Sequence, residues 1–330
     1  MIRWSVNTHR GCWGGCAFCT ISIHQGKFIV SRSEKSILKE VKRLSEDPDF
    51  KGYLTDLGGP SANMYMMRGR KEELCKKCRR PSCAYPSVCK NMDTNHEKLL
   101  ALYRNVDNLP YIKKSFIGSG VRYDIAMHDT ENLEVNKINK LYLRELVNNH
   151  VSGRLKVAPE HTSESVLKIM RKPPFSLFKE FKDFFDRENE KNNLNQQIIP
   201  YFISSHPGCT IADMAELAVE TKQLNFHLEQ VQDFTPTPMT LATEMFYSGY
   251  NPYTMNKIYV AKTQKEKLAQ RQFFFWYLPE KRDEIKKELR SNHLEYLVDK
   301  LFEKKGNNKS NNYVSYENSR KEMFKKRNKK

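Results

Sequence analysis

The chain has 330 residues, a length that allows one large domain or two ordinary ones, and 39% of them are hydrophobic, enough for a sizeable core. Its net charge is +17, from 56 Lys and Arg against 39 Asp and Glu. No apolar run is long enough to cross a bilayer, and the amino terminus lacks the features of a signal peptide. Eight cysteines in such a chain favour metal binding over disulfides. We therefore expect a cytoplasmic protein that does not associate with membranes.

Three cysteines stand close together near the amino end. Cys12, Cys16 and Cys19 form a C-x3-C-x2-C pattern within a glycine-rich stretch. Three thiolates can bind three irons of a [4Fe–4S] cluster, and the fourth iron then lacks a protein ligand and can bind a small molecule. The alternatives are a zinc site, with His24 recruited as a fourth ligand, and a set of reduced core thiols.

Strand and helix patterns alternate along the first two thirds of the chain. Strands are predicted at residues 2–7, 53–59, 116–121, 155–158, 198–203 and 231–234. Helices are predicted at 33–44, with Ser33 as N-cap, and around 96–104, 136–149, 163–170, 177–186 and 211–223. This alternation favours parallel strands with crossover helices. Six such units predict an α/β fold, a partial (β/α)6 TIM-like barrel whose chemistry lies at the carboxyl ends of its strands.

The pattern changes beyond residue 255. We assign 1–255 to the barrel core, with a Cys-rich insertion at 64–95, and 256–304 to a helical extension. Helices are predicted at 257–272 and 281–302, with the apolar patch 273–278 packed against the barrel. Residues 305–330 are predicted to be a basic, disordered tail. Such a run is most often simply solvated, but it is also compatible with nucleic-acid binding or with docking of an acidic electron carrier.

A second cysteine group lies in the insertion. Cys75, Cys78, Cys83 and Cys89 form C-x2-C-x4-C-x5-C, four thiols within fifteen residues. A structural zinc and an auxiliary [4Fe–4S] cluster fit this donor set equally well, and unliganded thiols are the third alternative. Cys209 stands alone after residues 206–208, either as a small buried side chain or as a hydrogen-atom donor to a substrate.

Several stretches together resemble the YgiQ family of the radical S-adenosylmethionine (SAM) superfamily. They are residues 7–19, 56–65, 156–161, 200–208 and 230–239, and the resemblance extends from the start of the chain to about residue 280. The first stretch, with its three cysteines, is similar to the superfamily signature. Members of that family usually carry a further domain ahead of this loop, so the resemblance implies that the chain is a fragment or a shortened relative.

The resemblance implies a reaction and its cofactors. Cys12, Cys16 and Cys19 would hold a [4Fe–4S] cluster whose open iron is chelated by the amine and carboxylate of SAM. One electron, from a flavodoxin- or ferredoxin-type donor, would split SAM into methionine and a 5′-deoxyadenosyl radical, which takes a hydrogen atom from an unknown substrate. The protein would supply position and water exclusion.

The resemblance also implies which residues contact SAM. They are Phe18 beside the adenine, Gly58 and Gly59 against the amino group through backbone atoms, and Arg122, Glu160 and His161 at the carboxylate or ribose. Pro60 stands where many superfamily members have glutamate, so no side-chain contact with the amine is expected there.

Two other functions compete with this interpretation. One is a basic module, stabilised by bound metal, that binds nucleic acid without catalysis. The other is a radical SAM enzyme that modifies RNA. The basic tail and the basic residues around the second cysteine group favour them. The sequence lacks RNP-like aromatic motifs and a zinc-finger spacing, which counts against a dedicated nucleic-acid module.

Overall fold

The computed structural model describes residues 3–229 and 231–302, which form short strands connected by helices. The strands are β1 Ser5–Asn7, β2 His9–Arg10, β3 Val30–Ser31, β4 Tyr53–Leu54, β5 Asp56–Gly58, β6 Lys114–Ser115, β7 Arg154–Glu160, β8 Gln197–Ser204 and β9 Val231–Asp233. The helices are α1 Ile21–His24, α2 Glu34–Ser45, α3 Glu72–Lys76, α4 Glu97–Asp107, α5 Tyr123–Ala126, α6 Leu133–Glu145, α7 Glu164–Met170, α8 Phe175–Lys191, α9 Ile211–Gln223, α10 Leu241–Ser248, α11 Gln264–Arg271, α12 Arg282–Ser291 and α13 Tyr296–Phe302. Single turns of 3₁₀-helix lie at Ala62–Met64, Gln272–Phe275 and Pro279–Lys281, and a π-helical turn at Leu146–His150 extends α6.

β2 and β3 pair antiparallel, and the other seven described strands form two parallel groups. In the first group β1 pairs with β5 and β4 pairs with β6. Only Thr55 separates β4 from β5, so these two follow each other along one line, with β1 and β6 as their pairing partners. β7, β8 and β9 form the second group in that order. Parallel strands joined through helices confirm the α/β class. Within the described residues no strand pairing joins the two groups or closes a ring, so the predicted partial barrel is not confirmed.

Three predicted strands, at 155–158, 198–203 and 231–234, are confirmed as β7, β8 and β9. The strand predicted at 116–121 is wrong, because the strand ends at Ser115. Beyond it the backbone amides of Gly118 and Ser119 donate to Oδ1 of Asp56, at 2.8 and 3.0 Å. A carboxylate thus satisfies the amides that a neighbouring strand would otherwise bind.

Most helices follow their predicted positions, and capping explains the exceptions. Ser33 accepts a hydrogen bond from Ser36 N at the start of α2, as predicted. The helix predicted at 257–272 is wrong in its first half, because Thr263 and Glu266 form a capping box that starts α11 at Gln264. The helix predicted at 281–302 is two helices, interrupted where His293 adopts a φ of +57°.

Aromatic side chains dominate the core. Phe178, Phe181 and Phe185 lie on one face of α8 and are fully buried, and Tyr123 stacks on Phe181 with ring centroids 5.4 Å apart. In the predicted apolar patch 273–278, Phe273 and Phe274 are fully buried in the same core, which confirms that this segment packs inward.

The predictions about membrane association, the basic tail and the domain boundaries are tested only in part by the described residues. None of the described helices combines the length and apolar character that a bilayer crossing requires. The basic tail at 305–330 lies outside the described residues, and the domain boundaries stay predictions.

We expect Phe178→Ala to lower the free energy of unfolding by about 3–5 kcal/mol, because it leaves a cavity in a close-packed aromatic core. Phe28→Ala is the matched control, since the Phe28 side chain is 55% exposed and its loss should change stability by about 0.5 kcal/mol or less. Urea titration of both variants measures the difference, and equal losses would show that α8 does not build the core.

Candidate functional site

The first cysteine loop is held in place by backbone hydrogen bonds from several elements. Cys12 N donates to Gly26 O at 3.1 Å, on the far side of the loop. Ala17 N donates to Met170 O at the end of α7, and Ala242 N at the start of α10 donates to Ala17 O, both at 2.9 Å. The loop therefore has a fixed shape between the helices that follow β7 and β9.

The three thiols of this loop lie within electrostatic reach of one another. The pKa of Cys19 is raised to about 11, chiefly by burial and in smaller part by negative charge on Cys16 and Cys12. Cys12 itself is buried, with Sγ 3.6 Å from Ser61 Oγ. Because a thiol with a raised pKa stays protonated at neutral pH, Cys16 and Cys19 would become thiolates only on binding a metal.

The three thiols do not converge on one metal position in the described residues. Within residues 3–229 and 231–302 no three His, Cys, Asp or Glu side chains converge closely enough to bind one metal ion. A zinc site needs every sulfur about 2.3 Å from the same ion, whereas the thiolates of an iron–sulfur cluster bind different irons. His24, the candidate fourth zinc ligand, is exposed at the end of α1.

Four buried charged side chains lie beside the loop. Arg122 forms a bidentate ion pair with Asp124, with Nε–Oδ1 at 2.7 Å and Nη2–Oδ2 at 2.5 Å. The other pair is looser, since Lys172 Nζ lies 3.7 Å from Glu160 Oε1. All four side chains belong to residues that are no more than 8% exposed. Burial of charge on this scale is tolerated only where opposite charges are paired.

The two buried cations face the thiols. Burial raises the pKa of Cys16, and Lys172 and Arg122 oppose that rise. Burial disfavours the charged form of Arg122, but Asp124 and, to a smaller extent, Cys16 and Cys12 raise its pKa well above the usual value. A Cβ at Gly14 would lie 2.2 Å from Arg122 Nη1, so a side chain at this position would displace the guanidinium group.

Glu160 occupies a strained position at the end of β7. Its φ is +70°, in the left-handed region that side chains disfavour, and the register of β7 against β8 shifts between Val157 and Glu160. Burial raises the pKa of Glu160, although Lys172 and Arg122 act against the rise. Strain of this kind at a strand end is typical of functional sites.

Phe18 lies at one end of a row of rings. Its centroid is 5.9 Å from that of His206, which in turn lies 5.2 Å from Phe234. His206 Nδ1 is 2.9 Å from the Pro207 carbonyl, so Nδ1 carries the proton and donates. The other nitrogen, Nε2, is buried without a hydrogen-bond partner, and burial lowers the pKa of His206 to about 3. A neutral imidazole with an unused acceptor therefore stands beside Phe18.

His161 is paired with the lone cysteine rather than with the charged side chains. Its Nδ1 accepts a hydrogen bond from Ser163 N at 3.0 Å, which leaves the proton on Nε2, 3.4 Å from Cys209 Sγ. Both side chains are fully buried, and burial lowers the pKa of His161 to about 4. Cys209 is thus a buried thiol that contacts His161 and, at 3.8 Å, the carbonyl oxygen of Thr210.

Gly58 and Gly59 lie at the end of β5, under His9. The carbonyl oxygen of Gly58 accepts two hydrogen bonds from Thr8, from N at 2.7 Å and from Oγ1 at 3.0 Å, which uses both of its lone pairs. A Cβ at Gly59 would lie 2.5 Å from the His9 ring. The assignment of both glycines to SAM binding stays a prediction.

The structure brings some predicted residues together and adds others. Cys16, Arg122 and Glu160 share one buried charged environment, whereas His161 faces Cys209. Sequence reasoning assigned no specific role in the site to five buried residues, Asp124, Lys172, Asn63, His9 and His206. Asp124 follows Arg122 by two residues and could have been included on that spacing. Lys172 carries no such signal, because only the fold places it opposite Glu160.

Asn63 binds the backbone of Arg122, and His96 contacts Asn63. Asn63 Oδ1 accepts from Arg122 N at 2.8 Å, and its Nδ2 donates to Arg122 O at 3.0 Å. Asn63 Nδ2 is also 3.1 Å from His96 Nε2, and His96 Nδ1 is 2.7 Å from Asn139 Oδ1. These buried polar groups fix where the Arg122 side chain begins.

A cavity of about 510 Å³ opens beside Cys16 and Cys19, within the range of ligand pockets. Its outer wall is formed by Arg171, Met239, Tyr247 and Tyr253 among others. A small molecule in this cavity would contact the cysteine loop directly.

The second cysteine group is also brought together. Burial raises the pKa of Cys83, Lys27 lowers it, and negative charge on Cys89, Cys78 and Cys75 raises it, so the other three thiols lie near Cys83. All four side chains are partly buried.

The chain is similar to proteins that carry the name UPF0313. It is 66% identical to the one from Bacteroides thetaiotaomicron over 305 residues, 92% of this chain and 49% of that protein. It is 59% identical to the one from Porphyromonas gingivalis over 92% of this chain and 48% of that protein. It is 44% identical to the one from Methanocella arvoryzae over 90% of this chain and 48% of that protein. The chain spans about half the length of these curated relatives.

Two further similarities concern parts of the chain. A family model described as a domain of unknown function, DUF3362, matches residues 229–304. Among solved structures, the radical SAM methyltransferase TsrM from Kitasatospora setae aligns over 73% of this chain and 37% of its own, with 12% identity and a TM-score of 0.40. A TM-score below 0.5 does not establish a shared fold. None of these names confirms the name YgiQ, and the resemblance to that family stays an interpretation.

Acid should destabilise the protein through its buried histidines. The pKa of His206 falls from an ordinary 6.5 to about 3 on folding, so its contribution to stability is complete above pH 6.5 and is lost as the pH falls towards 3. Between pH 4 and 6 we expect His206→Gln to flatten the pH dependence of the unfolding free energy by about 1.4 kcal/mol per pH unit. His24→Gln, at an exposed position, is the control. An unchanged slope in His206→Gln would contradict this account.

Proposed function

We propose that this chain carries the cluster and SAM site of a radical SAM enzyme. The observation that carries the proposal is the loop at Cys12, Cys16 and Cys19, whose three thiols lie within electrostatic reach of one another and against two buried cations. A cluster held by three thiolates keeps one iron for a small-molecule ligand. When bound, the cluster and SAM supply the electron transfer and the 5′-deoxyadenosyl radical that takes hydrogen from a substrate carbon.

The buried cations would serve both the cluster and SAM. Arg122 is already bound at two points by Asp124, so its main effect is to place positive charge beside the thiolates. Lys172 is 3.7 Å from Glu160, longer than a hydrogen bond, and its ammonium carries three donors. We assign the carboxylate of SAM to Lys172, with Arg122 nearby, and an N–H or ribose hydroxyl of SAM to Glu160.

The ring row would bind the adenine. Phe18 and His206 supply apolar faces that exclude water from the site. The buried, unpartnered Nε2 of His206 is an acceptor for which an amino group is the natural donor. Because the His206 pKa is about 3, the ring stays neutral and keeps this acceptor at physiological pH.

The proposal leaves the other partners as predictions. A flavodoxin- or ferredoxin-type donor would deliver the electron. Nucleic-acid binding, either by a module without catalysis or by an enzyme that modifies RNA, depends on a basic tail outside the described residues. No contact of the described residues favours it over the radical SAM function.

The direct test is SAM cleavage by the anaerobically reconstituted chain. With dithionite as reductant we expect 5′-deoxyadenosine to form, and Cys16→Ala to reduce its formation to the level without protein, since two thiolates hold a cluster poorly. Liquid chromatography measures the product. A chain with a full complement of iron and sulfide that neither binds nor cleaves SAM would refute the proposal.

Lys172→Met should weaken SAM binding. The loss of a charge-assisted hydrogen bond, about 1.5–3 kcal/mol, predicts a dissociation constant about 10- to 100-fold higher in equilibrium dialysis. Lys168→Met is the matched control, because Lys168 is exposed on α7 and pairs only with Glu164 among the described ion pairs. Equal affinities of the two folded variants for SAM would remove Lys172 from the site.

A further inference from the structure

The Cys-rich insertion forms a closed loop that lacks a core of its own. Its two ends pair in antiparallel fashion, with a bridge between Gly69 and Met92 and a 2.7 Å bond from Arg70 N to Asn91 O. Between residues 69 and 92 only Ser82 and Met92 are buried, and Leu74 is 59% exposed. A segment with so little apolar burial needs another constraint to keep one conformation.

The four cysteines are placed to supply that constraint. Cys75 and Cys78 sit on one turn, with Cys78 N donating to Cys75 O at 3.1 Å, and Cys89 N donates to Cys83 O at 2.8 Å. Asn91 Nδ2 donates to Cys75 Sγ at 3.2 Å, which ties this thiol to the other arm of the loop. Cys75 and Cys78 therefore lie on one arm of the loop, and Cys83 and Cys89 lie on the other.

The insertion is docked on the backbone of the first cysteine loop. Cys83 N donates to Trp13 O at 2.9 Å, and the Ser82 hydroxyl donates to Gly14 O. A Cβ at Gly15 would lie 2.3 Å from Pro81 O, so the two backbones are in direct contact. Segment 81–83 therefore covers the residues between Cys12 and Cys16.

Positively charged groups and an apolar layer complete the contact. Lys27, which follows the first loop, donates from Nζ to Arg80 O at 2.9 Å. Trp13 is fully buried in a small apolar cluster with Cys12 and Met92, against which Cys83 and Cys89 pack. One cysteine of the first group, Cys12, and two of the second, Cys83 and Cys89, thus pack in the same apolar cluster as Trp13.

We propose that Cys75, Cys78, Cys83 and Cys89 bind a second, thiophilic metal centre that clamps segment 81–83 onto the first cysteine loop. The four sulfurs do not yet converge on one point, so the metal would draw the arms of the loop together. Four thiolates suit zinc and an iron–sulfur cluster alike, and the lysine at position 27 offsets their charge. The clamp role rests on the proposed function, because it presumes a cluster at Cys12, Cys16 and Cys19.

The metal content of the full chain tests the site without any activity assay. The triple variant Cys12→Ser/Cys16→Ser/Cys19→Ser, isolated anaerobically, should keep about one zinc, or about four irons with sulfide, per chain. Adding Cys75→Ser and Cys78→Ser should remove that metal. A triple variant with a wild-type circular dichroism spectrum and no bound metal would overturn the site.

Wild-type protein decides the question if the triple variant does not fold. Metal beyond about four irons, whether zinc or a second set of irons, supports the site, and its identity separates zinc from an auxiliary cluster. No zinc together with at most four irons overturns it. A second metal present in a chain that does not cleave SAM would uphold this site while the proposed function fails.

The clamp itself is tested by Ser82→Ala, which keeps all four thiols but removes the hydroxyl that donates to Gly14 O. We expect amide hydrogen exchange in residues 12–17 to become about 5-fold faster, as the loss of one hydrogen bond of about 1 kcal/mol predicts. Ser87→Ala, at an exposed position in the same segment, is the matched control and should leave exchange unchanged. Identical exchange in wild type, Ser82→Ala and Ser87→Ala would overturn the clamp.

Discussion

The site depends on the electrostatic balance between buried cations and the thiols of one loop. Arg122 and Lys172 are withdrawn from water, and each has a carboxylate partner, Asp124 or Glu160. Paired in this way the four charges cancel, so the burial of these four side chains is tolerated. Thiolates at the neighbouring cysteines add negative charge, which a positively charged sulfonium ligand would offset. The Arg122–Asp124 pair is bidentate and the Lys172–Glu160 pair is longer, and in the proposed site this difference would give Arg122 a structural role and Lys172 a ligand-binding role.

Charged side chains of the site lie at or just beyond the carboxyl ends of strands. Glu160 ends β7 in a strained conformation, and Ser205, with a φ of +59°, directly follows β8. Arg122 lies in the loop after β6, fixed through its backbone by Asn63. Carboxyl ends of parallel strands gather residues that are far apart in sequence, which is why open α/β sheets bind ligands there. Backbone bonds from Met170 and Ala242 then seat the cysteine loop against these ends.

How far the sequence alone predicts this arrangement differs between elements. Apolar periodicity and a capping serine place α2 correctly, and a β-branched run places β8, because both signals are local. The strand predicted at 116–121 failed because Asp56, sixty residues away, binds the amides at Gly118 and Ser119. In the site, the spacing of Cys12, Cys16 and Cys19 is local in sequence, so these metal-ligand candidates can be predicted from the sequence alone. Lys172 and His206 are not, since their roles arise from burial and from partners that only the folded chain brings near.

Electron paramagnetic resonance of the reduced, reconstituted chain tests the central claim most directly, because it observes the open iron itself. The account predicts a [4Fe–4S]⁺ signal whose g values change when SAM is added, and loss of that signal when Cys12, Cys16 and Cys19 are replaced by Ser. A wild-type chain in which SAM changes no cluster signal, or a SAM-responsive signal that persists without these three cysteines, would contradict it.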